Sequence, residues 1–379
     1  MRRKSKKGYA THTGGLLGVN AVLLHAARVL LALVFLFSGF VKAVDPLGTV
    51  YKIEDYLTAF GGFWSGFTIA AFPAAFVLIL FEFLTGIGLL LQIRMKLSAW
   101  VAFVFMLIMT PLTLYIAIYN PVTDCGCFGD ALKLTNWQTF SKNVVFIIIA
   151  FIVLLKNSNF KKIFLPVVEW GMLAVSTLIV IGFMLYNLMF LPVIDFRPFK
   201  VGVNIPEAMS FPQDAPVDEY EYKFIYQKDG VQKVFGLDAL PDSTWQFVSQ
   251  ESRLIKKGYE PPIKELTMLS GNYDISDQVL LYPGKSYLFI LWNLEQSNEK
   301  GIGKIKNYLS ANQDQELKTY ILTASSIEDI NAFEKKHQLN IPYYRSDAIT
   351  LKTIIRANPG VLELRNGTIK AKMSWRKFN

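Results

Sequence analysis

Residues 21–44 read AVLLHAARVLLALVFLFSGFVKAV, and this stretch decides the class of the protein. It is longer than the roughly 20 apolar residues that a helix needs to cross a bilayer, and its charges stand near its two ends, Arg28 and Lys42. A cleaved signal peptide fits it poorly, because the run is long, continues through 39–43 and is followed by another span. Four more stretches of similar character follow, at about 67–93, 97–119, 138–155 and 167–194, the fourth span being the shortest.

The apolar fraction over all 379 residues is 52%, high for a soluble chain of this length, and it is concentrated in the first half. Residues 1–194 hold 15 Lys/Arg against 7 Asp/Glu, whereas 195–379 hold 24 against 23. The net charge of +9 therefore comes from short loops beside the spans, which is where topology signals sit. Nucleic-acid binding is rejected on that ground, and the partner expected from composition is the lipid bilayer.

The loops fix an expected orientation. Arg2, Arg3, Lys4, Lys6 and Lys7 precede the first span, Arg94 and Lys96 join the second to the third, and Lys156, Lys161 and Lys162 join the fourth to the fifth, with no acid among them. The alternate loops carry Asp45, Glu54 and Asp55, then Asp124 and Asp130. By the positive-inside rule the N-terminus is cytoplasmic, and five crossings leave the C-terminal half on the outer side of the membrane.

Beyond Asp195 the pattern changes. Residues 195–261 are rich in Pro and Asp, with a hairpin expected at 221–226 and 231–235 about the turn Lys228-Asp229-Gly230. From 262 on, strands at 266–269, 286–292, 317–323 and 341–344 alternate with helices at 299–311, 327–337 and 347–357. The chain then closes on a hairpin at 359–364 and 368–374. Alternation of this kind implies an α/β layer.

The membrane half resembles the DoxX/MauE family of four-helix membrane proteins. The residues that carry the resemblance are Arg28, the 36–46 end of the first span, Glu82 within Phe81-Glu82-Phe83-Leu84-Thr85-Gly86, and the loop Cys125-Gly126-Cys127-Phe128-Gly129. The whole chain looks like the Bacteroidetes-type multidomain members. That resemblance implies envelope redox chemistry: maturation of disulfide-containing periplasmic enzymes for MauE-type members, sulfur- or quinone-linked oxidation for DoxX-type members. The order of elements from 262, with Pro359 opening the penultimate strand, resembles the thioredoxin fold of TlpA-type proteins and would put Pro359 at that family's cis-proline position. This chain departs from the family where it matters. Trp292 is followed by Asn293-Leu294-Glu295-Gln296-Ser297-Asn298-Glu299 instead of Cys-x-x-Cys, so the domain has no thiol with which to act.

The candidate site residues follow. Cys125 and Cys127, the only cysteines, lie in an expected outer loop, where they form a redox pair exchanging with a partner thiol, a structural clip, or half of a metal shell. No His stands near them to complete a metal site, and none is assigned. Glu82 is an ionisable group inside a span and is expected to pair with Arg28, His25 being the alternative. The pair is read either as a polar site for a quinone head group or proton, or as an ion pair that fixes helix packing. Lys42, Glu54 and Asp55 are expected as an interfacial cluster or simply solvated. Glu295 and Glu299 stand where a thioredoxin keeps its cysteines, and His12 and His337 are expected in solvent.

The reading is a helical membrane bundle followed by an α/β thioredoxin-like extracytoplasmic domain. It has a basic tail (1–20), a DoxX/MauE-like four-helix domain (21–155), a fifth transmembrane helix (156–194), a β-rich linker (195–261) and a thioredoxin-like domain (262–379). The expected function is an envelope redox component, thiol-disulfide or quinone-linked, with Cys125 and Cys127 as the reacting pair and a periplasmic or membrane protein as partner. The alternative is a non-catalytic scaffold or a subunit of an envelope complex.

Overall fold

The computed structural model describes residues 21–122, 124–312 and 317–378; the basic tail of residues 1–20, with His12, lies outside them. The chain divides into two units, Met1–Phe196 and Arg197–Asn379.

In the first unit α1 (Ala21–Val44) is followed by α2 (Pro46–Phe60), which Asp45 caps by accepting from the Gly48 amide at 3.0 Å. A 3-10 segment, Gly62–Ala70, runs into α3 (Ala71–Leu90), and α4 (Met95–Tyr119), α5 (Asn136–Leu155) and α6 (Pro166–Met189) complete the bundle. Among the described residues five segments are long and apolar enough to cross a membrane: Ala21–Val44, Gly62–Leu90, Met95–Tyr119, Asn136–Leu155 and Pro166–Met189. They expose apolar side chains outward, Leu107, Ile148 and Leu178 among them, as helices solvated by lipid do. The fourth of these segments gains its first turn from a capping box, in which Thr135 accepts from the Gln138 amide and Gln138 accepts from the Thr135 amide.

Two glycines set how α1 meets α3. A methyl group on Gly39 would lie 2.8 Å from the Phe83 backbone nitrogen, and one on Gly86 would lie 2.8 Å from that of Leu36. With hydrogen at both positions the backbones approach closely, the usual device where no hydrophobic effect drives helices together. The contact also fixes an antiparallel register in which Gly39 opposes Phe83 and Leu36 opposes Gly86.

The second unit opens with α7 (Ile205–Met209) and a three-stranded sheet of β1 (Glu219–Lys228), β2 (Val231–Gly236) and β3 (Gln246–Lys256), in the order β2-β1-β3. The expected hairpin turns at Asp229 and Gly230, both at positive φ, which suits the right-handed twist of the flanking strands. β3 was not expected. Its sequence QFVSQESRLIK is exposed nearly throughout, so no burial pattern marks it as a strand.

Then come β4 (Leu269–Ser270), β5 (Tyr273–Asp274), α8 (Ser276–Leu280), β6 (Lys285–Ile290), α9 (Glu299–Ala311), β7 (Lys318–Thr323), α10 (Ile327–His337), β8 (Tyr343–Arg345), α11 (Ala348–Ile354), β9 (Gly360–Arg365) and β10 (Thr368–Ser374). They build an α/β unit on a sheet of order β10-β9-β6-β7-β8-β4-β5. β6, β7 and β8 run parallel, while β9 is antiparallel to both β6 and β10. Phe289, Leu291, Ile302, Ile305, Ile321 and Val361 form the core between the sheet and α9. The loop 293–298 is fastened to the turn before β9. Asn358 Nδ2 donates to the Asn293 carbonyl at 2.7 Å, the Asn298 amide donates to the Asn358 carbonyl at 3.2 Å, and the Asn358–Pro359 peptide is cis.

Candidate functional site

Ser38 and Lys42 stand four residues apart on α1 and so share one face. The glycine contact turns that face onto α3 at Glu82. Lys42 Nζ lies 2.8 Å from Glu82 Oε1 and 2.7 Å from Oε2, and the two side chains are only 7% and 3% exposed. Ser38 Oγ is 2.8 Å from Glu82 Oε2 and accepts from Lys42 at 2.7 Å. A third element enters from the loop after α4. The Cys127 carbonyl accepts from Lys42 at 3.0 Å and lies 2.7 Å from Ser38 Oγ. The Ser38 hydroxyl has one proton, so it serves Glu82 or Cys127 at a given moment. A buried charge pair survives only when further hydrogen bonds offset desolvation, and Ser38 and the Cys127 carbonyl supply them.

The cysteine loop is held from several sides. Asp124 Oδ1 accepts from the Gly126 amide at 2.8 Å, a local turn that brings Cys125 and Cys127 to a Cα separation of 5.4 Å, and the two are joined in a disulfide. Gly126 has φ +64, and a methyl group on it would lie 2.7 Å from Lys52 Cγ. Lys52 in turn pairs with Asp124 at 3.3 Å. From α2 the Tyr56 hydroxyl donates to the Cys125 carbonyl at 2.6 Å. Burial, reinforced by the negative charges of Asp124 and Asp55, pushes the Tyr56 hydroxyl well above the ordinary phenol range, so it stays a donor. Phe128 packs on Phe37, and Lys142 of α5 lies over the Phe128 ring at 4.3 Å. Cys125 is buried at 6% exposure, while Cys127 is only partly covered.

The structure brings Cys125, Cys127 and Glu82 into one neighbourhood and leaves Arg28 out of it. The expected Arg28–Glu82 pair is therefore corrected. Arg28 Nη1 donates to the carbonyls of Leu89 and Leu90, the latter at 2.7 Å, at the end of α3, and its guanidinium lies 5.4 Å from the Phe160 ring centroid. Those carbonyls are among the orphan acceptors of a helix C-terminus, where a cation is favoured. Leu89 is about 11 Å along α3 from Glu82 at 1.5 Å per residue. Arg28 misses Glu82 because the Gly39–Phe83 register lets α1 extend past the end of α3. His25 is likewise elsewhere, packed edge-on against Phe160.

Lys42 is the residue that sequence reasoning placed in the wrong setting. It was expected with Glu54 and Asp55 at the interface, but it is buried on Glu82, and Asp55 pairs with Lys52 at 3.9 Å. The signal that could have found it is the i, i+4 pair Ser38/Lys42 flanking Gly39. In the second unit His337 is not solvated either. Its ring lies 4.3 Å from that of Phe333, tilted by 40°, and burial lowers its pKa despite Glu299 at 3.9 Å. Glu299 pairs with Lys336 at 2.6 Å, which together with His337 holds its carboxyl below the usual range. Among the described residues no group of three or more His, Cys, Asp or Glu is placed to hold a metal.

Beside Glu82 the bundle contains a cavity of about 30 Å³, lined by Ser38, Phe105, Met109, Cys127, Lys142 and Phe146 among others. That is room for water and not for a six-membered ring.

Residues 20–156 match the family model described as methylamine utilisation protein MauE, so the membrane bundle up to the end of α5, including the cysteine loop, is similar to that family. Residues 220–257, the three-stranded sheet, match a model described as a domain of unknown function, DUF8463. No curated protein matches the chain.

Proposed function

We propose, starting from the MauE-type bundle, that this protein is an envelope redox component that passes electrons by thiol-disulfide exchange through Cys125 and Cys127. The observation that carries the reading is the seat of the Cys127 backbone on the buried Lys42–Glu82 pair, with Lys142 over the neighbouring Phe128 ring. Cations near a cysteine favour its thiolate, so once the pair is reduced Lys42 and Lys142 favour Cys127 as the thiolate that reacts with the next disulfide. Cys127, the less covered sulfur, is the one a partner thiolate reaches. Attack there forms a mixed disulfide and releases Cys125 as thiolate. The partner's second thiol then closes the partner's own disulfide, leaving Cys125 and Cys127 reduced by two electrons and two protons. Turnover requires a second disulfide or a quinone to take those electrons. The small cavity beside Glu82 argues against a preformed quinone seat there.

The basic loops support an outer location for the cysteine loop and the second unit. The strand order β7-β6-β9-β10 supports a thioredoxin-like reading of residues 262–379. Without cysteines at 293–298 we read that unit as the docking module for the client. One observation favours the alternative of a non-catalytic scaffold: Cys125 is buried and its loop is clamped by Tyr56, Lys52 and Ser38, as a structural clip would be.

Thiol trapping of the full-length protein in intact cells separates the two. Exchange predicts a partner-dependent redox state of the pair and a Cys127 mixed disulfide that accumulates in Cys125→Ser. A uniformly oxidised, reductant-resistant pair, together with full function of the Cys125→Ser/Cys127→Ser double variant, would end the redox reading and leave the scaffold.

A further inference from the structure

A cavity of about 810 Å³ in the bundle lies away from the disulfide, at the end where α4 and α6 begin and α5 ends. Its polar wall carries Arg94, Lys96, Lys161 and Lys162, and its aromatic wall Trp100, Phe160 and Trp170. Its one acid, Glu169, is already occupied: Arg94 lies 3.4 Å from it and stacks 4.8 Å over the Trp170 ring. Lys96, Lys161 and Lys162 pair with no acid among the described residues, and residues 1–20 contain no acid that could reach them. The cavity is therefore rimmed by three uncompensated ammonium groups. Beside it the helices expose Leu97, Trp100, Leu165, Val167 and Trp170. Tryptophans at this level mark the bilayer interface, where one side of a ligand is charged and the other apolar.

We propose that this cavity binds an anionic phospholipid, its phosphate head group held by Lys96, Lys161 and Lys162 and its acyl chains lying along Leu97, Trp100 and Val167. A phosphate brings several strong acceptors to ammonium donors that pair with no acid among the described residues. The apolar rim is contiguous with the surface that faces lipid, which a free anion does not need. Basic pockets between membrane helices are suited to such head groups. The Arg94–Glu169 contact holds the wall in place instead of competing for the ligand, because its charges cancel.

The test uses the full chain, purified in mild detergent and stripped of lipid. Phosphatidylglycerol, phosphatidylcholine and inorganic phosphate are added back separately, and bound lipid is counted by native mass spectrometry alongside thermal stability. The expected result is retention and thermal protection by phosphatidylglycerol, weak effects of phosphatidylcholine and inorganic phosphate, and loss of affinity by about tenfold or more in Lys96→Gln/Lys161→Gln/Lys162→Gln. A control variant carrying Lys223→Gln, Lys228→Gln and Lys233→Gln in the second unit keeps wild-type retention. The triple variant must elute and melt like wild type without lipid; if it does not, the three single variants are each compared with the control. Equal retention of both lipids, protection by inorganic phosphate equal to that by phosphatidylglycerol, or unchanged affinity in the triple and single variants would overturn the proposal.

Discussion

Lys42 and Glu82 meet across the α1–α3 contact at 2.7 Å, nearly closed off from solvent, and the carbonyl of Cys127 completes the ammonium's coordination. One charge pair thus ties the two helices to the disulfide loop. The relationship depends on Gly39 and Gly86, which let the backbones come close enough for both side chains to reach.

Removing either partner strands the other charge in the bundle. Lys42→Met and Glu82→Leu are each expected to cost about 3–5 kcal/mol, and the double variant to recover most of the loss because no charge is left buried. Unfolding in detergent, followed by tryptophan fluorescence, measures all three. A cycle between Arg28→Ala and Glu82→Leu is expected to be additive within about 0.5 kcal/mol, since the two residues share no partner. Coupling as large as that of Lys42 with Glu82 would contradict the pairing.

Gly39→Ala places a methyl group against the Phe83 backbone and forces α1 and α3 apart. A loss of about 1–3 kcal/mol is expected, the range for overpacking a tight contact. Gly182→Ala in α6 meets open space and is expected to be neutral or slightly stabilising. Melting temperatures of the two variants in one detergent make the comparison.

Tyr56→Phe leaves the Cys125 carbonyl without its 2.6 Å donor. A loss of about 1 kcal/mol is expected from one hydrogen bond. The loop should also open more often, so a water-soluble reductant should reduce the disulfide faster than in wild type. Gel-shift alkylation after timed reduction reads the rate, and an unchanged rate would mean that Tyr56 does not clamp the loop.

His337 supplies a pH dependence. Burial holds its folded-state pKa below the ordinary value of 6.5. As pH falls from 6.5 towards that lowered pKa, the unfolded chain takes up a proton that the folded chain does not, so stability falls; above 6.5 both states are neutral and the effect vanishes. Unfolding measured across this window should show a slope that His337→Gln removes. A histidine resonance that His337→Gln deletes should titrate below 6.5 in wild type, and lower still in Glu299→Gln, because the Glu299 carboxylate favours the charged ring.

Much of the fold was legible. Apolar length marks a span because unpaired backbone cannot face lipid, and the α/β order of the second half showed through in short apolar strands such as Lys285–Ile290, buried continuously from Ser286 on. β3 stayed hidden because periodicity reports burial, and both faces of that strand are largely exposed. At the site, Cys125, Cys127 and Glu82 were visible as chemically unusual residues in their segments. Lys42 was not, because a lysine near the end of a span reads as solvated until a facing helix covers it.

The sequence by itself determined five apolar segments, the charge asymmetry of their loops, the cysteine pair and the absence of thiols from the second half. All of these are properties of composition along one dimension. Only the tertiary structure decided that Glu82 belongs to Lys42 and Arg28 to the carbonyls closing α3. Partner choice inside a bundle depends on the register of two helices, and here that register is set by the fit of Gly39 against Phe83 and Gly86 against Leu36.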